Sequence, residues 1–179
     1  MLKWLGIIAG VVIGIAVIIW VVGMLLPPGH VATASITLRQ PADSVWTVIR
    51  DFASYPEWWG NASAVNRDTD REAEVWVLED PRGGRLPIEV VESDPPRRLI
   101  TRIAADEALP FGGTWTYEIE PADGTVTVTV TEQGEVYNPI FRFFSRFIFG
   151  HYTTIESYLQ GLAARFGEEA SITRESAGR

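Results

Sequence analysis

The sequence predicts an α+β fold in which an antiparallel sheet packs against a long C-terminal helix, preceded by one transmembrane helix. Three features carry that expectation. An uncharged apolar stretch opens the chain, runs of period-two alternation separated by Gly/Pro/Asp turns fill its middle, and a proline-free stretch of helical periodicity closes it.

From Leu5 to Leu26 no residue is charged. At about 1.5 Å per residue such a helix crosses a hydrocarbon layer of about 30 Å. Ala32 and Ala34 have the look of a signal cleavage site, but the apolar run exceeds the roughly 7–15 residues of a signal peptide, which favours an uncleaved anchor. Pro27-Pro28-Gly29 stops the helix because proline has no backbone donor. Lys3 precedes the run, and only His30 and Arg39 follow nearby. This small bias favours a cytoplasmic N-terminus and an extracytoplasmic domain on a single-pass membrane protein. Gly6, Gly10 and Gly14 repeat on one helix face, the spacing that lets two membrane helices approach, so an anchor-mediated homodimer is a further expectation.

The chain thus divides into residues 1–29, the anchor and its break, residues 30–167, a single folded domain, and residues 168–179, a polar and disordered tail. Strand-like runs fall at Val31 to Leu38, Val75 to Leu78, Leu86 to Val91, Leu99 to Ile103, Thr114 to Ile119 and Thr125 to Thr131, with a weaker run at Ala64 to Arg67. Short turns such as Asp123-Gly124 join them, so consecutive strands pair as hairpins. Val126, Val128 and Val130 alternate with threonines. This puts the valines inward, Glu132 on the same side, and Trp115, Tyr117 and Ile119 on one face of the preceding strand. Pro41 to Ile49 reads as a helix after the first strand, and Tyr55-Pro56 as a second short piece. Between Pro139 and Phe166, the residues Phe141, Phe144, Ile148, Tyr152, Ile155, Leu159, Leu162 and Phe166 form one apolar stripe, with His151 and Tyr158 at its edge.

Composition excludes several functions. The absence of cysteine removes disulfides, thiolate metal sites and a Cys nucleophile. A net charge of −8, with the only lysine ahead of the anchor, argues against nucleic acid and against broad adsorption to anionic membranes. Only two histidines occur, with no HExxH, so neither a metal nor a cofactor is expected. There is no GxSxG elbow, no phosphate-binding Gly-rich loop and no lysine within the domain, so the reading leans away from an enzyme.

Several local runs carry a resemblance. They are Ile36-Thr37-Leu38 with Pro41-Ala42-Asp43-Ser44-Val45-Trp46, Asp51-Phe52 with Tyr55-Pro56-Glu57-Trp58, Gly113-Thr114-Trp115-Thr116-Tyr117, and Gly124-Thr125 through Thr131-Glu132. In these runs and in element order the chain resembles the START-like, or SRPBCC, superfamily, nearest its polyketide cyclase/dehydrase branch. The resemblance implies a helix-grip fold, a curved sheet wrapped around the final helix with a hydrophobic cavity between them. Its members bind lipids, sterols, polyketides or hormones, and some catalyse cyclisation. The anchor departs from their usual soluble pattern and would hold the cavity beside a bilayer.

The expected role is membrane-tethered binding of a hydrophobic small molecule or lipid. The alternatives are a cyclase/aromatase-like enzyme and a ligand-free membrane interaction module. The expected cavity wall comprises Trp46, Trp58, Trp76, Trp115, Tyr117, Val128, Phe144, Ile148, His151, Tyr152 and Ile155, because rings and branched chains supply apolar area. His151 with Glu132 is the candidate acid/base pair, an imidazole oriented by a carboxylate. Phe143 and Phe149, with Arg142 and Arg146, form a candidate membrane-contact patch.

Overall fold

Two prolines separate the apolar helix from the domain, and only a short link joins them. Helix α1 (Leu2–Leu25) stops before Pro27-Pro28, and strand β1 (Gly29–Leu38) begins directly after. The computed structural model describes residues 2–104 and 109–175. From Gly6 to Leu25, α1 is long and apolar enough to cross a membrane. Gly6, Gly10 and Gly14 face open space. Gly23 does not, because a side chain there would collide with the backbone of Pro139. The last turns of α1 therefore lie directly against the segment that starts at Pro139.

The sheet has eight strands in the order β2-β3-β4-β5-β6-β7-β1-β8, every pair antiparallel. After β1 these are β2 (Ala64–Asp68), β3 (Val75–Glu79), β4 (Arg85–Asp94), β5 (Arg98–Ile103), β6 (Phe111–Ala122), β7 (Thr125–Val136) and β8 (Thr173–Glu175). Hairpins explain the run from β2 to β7, and the first strand closes onto the last hairpin. The weakly patterned run at Ala64 is a real strand, paired with β3. Part of the tail expected to be irregular adds β8 to the edge of β1.

Helix α2 (Ala42–Arg50) buries Val45 and Ile49, and after a 3-10 turn (Phe52–Ser54), α3 (Tyr55–Trp58) buries Tyr55. Alternation in β7 does what its pattern dictates: Val126, Val128 and Val130 are wholly buried.

The long C-terminal helix is a correction. It is broken into α4 (Pro139–Phe144), a π-helical segment (Ser145–Phe149) and α5 (Thr153–Arg165). Asn138 starts α4 by accepting the amides of Ile140 at 2.9 Å and Phe141 at 3.4 Å. Gly150, at φ +72°, ends the π segment in a conformation that L side chains rarely adopt. The apolar stripe consequently loses its phase. Ile155, Leu159 and Leu162 pack under the sheet, whereas Phe141 (53% exposed) and Ile148 (61% exposed) face outward. Tyr158, expected at the stripe's edge, is wholly buried at its centre.

Candidate functional site

At the open end of the sheet, three adjacent strands place their residues in register. His30 of β1 lies opposite Gly134 of β7, which lies opposite Gly113 of β6. One step deeper on the same face come Ala32, Glu132 and Trp115. A Cβ on Gly134 would occupy the space of the His30 imidazole. Because glycine leaves that space free, His30 lies across the sheet face, and its Nε2–H donates to Glu132 Oε1 at 3.1 Å. An ionised carboxylate only accepts, so this contact assigns the proton to Nε2. The His151 ring, arriving from the link after Gly150, stacks on His30 with centroids 3.9 Å apart and planes 23° from parallel. Its Nδ1 makes a long contact of 3.4 Å with Ser145 Oγ.

This polar group stands at the mouth of a cavity of about 470 Å³. Leu86, Ile88, Thr101, Ile103, Trp115 and Tyr117 line it, with the buried Tyr55 and Trp59 at its inner end and the exposed Phe111 and Phe141, beside Ser145, at its mouth. Thr101, a buried polar residue at 3% exposure, is among the lining residues.

The far end is closed by an aromatic cluster centred on Tyr158. Its ring lies 5.7 Å from Tyr55, 5.2 Å from Trp58, 5.3 Å from Trp59, 5.8 Å from Trp115 and 5.6 Å from Tyr117. Tyr55 Oη donates to the Ile49 carbonyl at 2.7 Å, and Tyr158 Oη lies 3.1 Å from Tyr55 Oη. Burial pushes the ionisation of Tyr55, Tyr117 and Tyr158 well above the ordinary phenol range, so all three remain neutral hydroxyls.

A second cleft, of about 220 Å³, lies on the other side of the histidine stack. Leu26, Pro27 and Pro28 at the end of α1 line it together with Arg142 and Arg146. His30, Val136, Ser145 and His151 line both spaces, so the stacked imidazoles form part of the partition between them.

Electrostatically, burial lowers the His151 pKa, the neighbouring His30 and Arg146 push it the same way, and Glu132 opposes. Among the described residues no group of three His, Cys, Asp or Glu side chains is placed to hold a metal ion.

Of the expected wall residues, Trp115, Tyr117 and His151 line the cavity. Val128 and Ile155 are wholly buried in the core behind it. Trp46 and Trp58 are half-buried beside the core. Trp76 packs on Phe52 at 5.6 Å and donates its indole N–H to Glu74 at 2.9 Å. Tyr152 donates to the Glu175 carbonyl at 2.9 Å, Phe144 packs on Phe143 with centroids 5.7 Å apart, and Ile148 points outward. The broken helix explains these last three, since the stripe was drawn on one continuous axis.

The expected His151–Glu132 pair is joined through His30 rather than by a direct hydrogen bond. In the expected membrane patch, Arg142 donates through Nε to the Val136 carbonyl at 2.7 Å and through Nη2 to the Tyr137 carbonyl at 3.1 Å. Arg146 is exposed, Phe143 is half-buried against Phe147 at 5.0 Å, and the Phe149 side chain lies outside the described residues. The outward apolar residues of this segment are Ile140, Phe141, Phe147 and Ile148.

Sequence reasoning passed over His30, Tyr55 and Gly134, whereas Trp59, which with Trp58 was expected near the cavity mouth, does line the cavity. A signal for His30 was present: it keeps the inward parity of Ala32, Ala34 and Ile36 one step further back.

A model of the family described as polyketide cyclase / dehydrase and lipid transport matches residues 29–167. The chain belongs to this family. Solved structures agree with the family's fold. A START superfamily protein from Mycobacterium smegmatis superposes with a TM-score of 0.59 at 16% identity, covering 76% of this chain and 96% of its own. The Zhui aromatase/cyclase from a Streptomyces species gives 0.63 at 14% identity, over 76% of this chain and 93% of its own. Norcoclaurine synthase from Thalictrum flavum gives 0.60 at 12% identity, over 79% and 88%. No curated protein matches the sequence. At these identities the likeness is one of fold, and function has to be argued from the site.

Proposed function

We propose that this family member is a membrane-tethered binder of a hydrophobic small molecule or lipid, held in the cavity between the sheet and α5. The carrying observation is the largely apolar space of about 470 Å³, its mouth at His30 just beyond the end of α1. That volume lies within the roughly 300–1,000 Å³ of small-molecule sites. Apolar burial at about 25 cal/mol per Å² would supply the binding energy, with Thr101 and the mouth residues orienting the ligand. A space of this size weighs against an interior filled by its own side chains, as a ligand-free interaction module would have. Lys3 ahead of α1 favours a domain on the extracytoplasmic face.

The test is native mass spectrometry of the full chain released from bilayers. One retained apolar molecule per chain, lost when Ile88→Trp fills the cavity, supports the reading. A chain that carries nothing, or a load indifferent to Ile88→Trp, contradicts it.

A second reading, a cyclase-like enzyme, is favoured by the Glu132–His30 contact at the mouth. Glu132 fixes the Nε2–H tautomer and leaves Nδ1 as the basic atom of an oriented imidazole. Cyclisation of a ketide substrate that His30→Asn abolishes while ligand affinity persists would support it. Equal turnover in the two proteins would remove it.

A further inference from the structure

The cleft at the end of α1 combines a cationic wall with an opening toward the apolar cavity. Seven arginines elsewhere, from Arg50 to Arg174, are in ion pairs with Asp or Glu. Arg142 and Arg146, like Arg39, Arg67, Arg82 and Arg97, form no ion pair among the described residues, but of these six they are the two that line the cleft. Arg142 bonds only to the neutral carbonyls of Val136 and Tyr137, which keep its guanidinium in the cleft wall without neutralising it. Two cations lining one concave cleft, Arg142 half-buried and Arg146 exposed, favour an anion from outside, and guanidinium suits phosphate in particular.

The surroundings say where that anion comes from. Leu26-Pro27-Pro28, directly after the apolar span of α1, lines the same cleft, so the cleft lies at the depth where a membrane crossed by α1 gives way to its headgroups. Ile140, Phe141, Phe147 and Ile148, exposed on the same segment as the arginines, are the side chains of an interfacial helix. The cleft also shares His30, Val136, Ser145 and His151 with the cavity behind it, which gives an amphiphile a polar end and an apolar end within one path.

We propose that this cleft holds the anionic headgroup of a phospholipid from the membrane that α1 crosses, one acyl chain passing the His30–His151 stack into the inner cavity. The proposal rests on the lipid-binding reading above and specifies its ligand. The net charge of −8 opposes general adsorption to anionic bilayers, so selectivity resides in this local pair.

The full chain is placed in nanodiscs of equimolar phosphatidylcholine and phosphatidylglycerol, released, and its retained lipid identified by native mass spectrometry. The expected result is one retained lipid, phosphatidylglycerol enriched about tenfold, the value of one charge-assisted hydrogen bond. Arg146→Gln, an exposed substitution that leaves the fold intact, should bring the two lipids to near parity, and Arg146→Lys should keep most of the preference. Lys3→Gln, before α1, should change nothing. Enrichment that survives Arg146→Gln, or that follows Lys3, marks lipid around the anchor and overturns the proposal. Displacement of the glycerol lipid by excess inorganic phosphate marks a free-anion site and overturns it too. Equal retention of both lipids in the unmodified chain overturns the headgroup site while leaving the cavity reading standing. Retention of neither overturns both.

Discussion

His30 and His151 stack face to face, with centroids 3.9 Å apart, although one follows the apolar helix and the other follows the π segment near the chain's end. Glu132 accepts from the first and Ser145 lies beside the second. Two charged rings so close would repel by roughly 1 kcal/mol in water and about 4 kcal/mol at an effective dielectric of 20. The stack therefore opposes a second positive charge at this position.

Its pH dependence follows from His151. Burial, then His30 and Arg146, hold the His151 pKa below its ordinary value, and Glu132 only partly offsets them. A depressed folded-state pKa gives stability that is complete above the unfolded value of about 6.5 and is lost as pH falls through the folded one. Chemical denaturation should show stability falling as pH drops below about 6.5, with the slope reduced in His151→Gln. Identical slopes in that window would mean that His151 is not the group responsible. Losses at lower pH belong to groups such as Glu74, whose pKa burial raises but whose bonds from Trp76 and Arg50 bring it below the ordinary carboxylate value.

Gly134 makes room for the imidazole of His30, so Gly134→Ala should expel that ring from Glu132. Overpacking of this kind costs about 1–3 kcal/mol. Imidazole resonances in NMR should show the His30 Nε2–H losing its carboxylate partner. An unchanged His30 spectrum would refute the packing argument.

Gly150 ends the π segment at positive φ. Gly150→Ala should destabilise the chain by about 1–2 kcal/mol through the left-handed backbone alone, read as a lower denaturation midpoint. A neutral substitution would indicate that the break tolerates other conformations.

The two buried phenols should respond unequally. Tyr158→Phe leaves Tyr55 donating to the Ile49 carbonyl, at a cost of about 1 kcal/mol. Tyr55→Phe strands both that carbonyl and the Tyr158 hydroxyl, and should cost about 1–3 kcal/mol. Equal losses in denaturation would show that the Ile49 carbonyl does not depend on the Tyr55 hydroxyl.

At Gly23 a side chain meets the Pro139 backbone, so Gly23→Leu should push α4 away from α1. A local penalty of about 1–3 kcal/mol corresponds to amide exchange in α4 faster by roughly 5- to 150-fold. Unaltered exchange would mean that the two helices do not rest on each other.

Most of the fold was legible in the sequence because its signals are local. The valine alternation of β7, the Asp123-Gly124 turn and the uncharged run of α1 each act over a few residues. The site was less legible because it depends on contacts between distant segments. The apolar stripe from Phe141 to Phe166 satisfied helical spacing, yet Gly150 turns the chain, leaving Ile148 outside and drawing Tyr158 inside. His30 looked like a residue bordering a membrane helix. Its partners, Glu132 and His151, become visible only through the pairing of β1 with β7.

The most direct test of the central claim is intermolecular NOE spectroscopy on the full chain in nanodiscs made with isotope-labelled acyl chains. The account predicts NOEs from acyl methylenes to the Trp115 indole and the Thr101 methyl inside the cavity. NOEs confined to Ile140, Phe147 and the surface of α1, with none to Trp115 or Thr101, would contradict it.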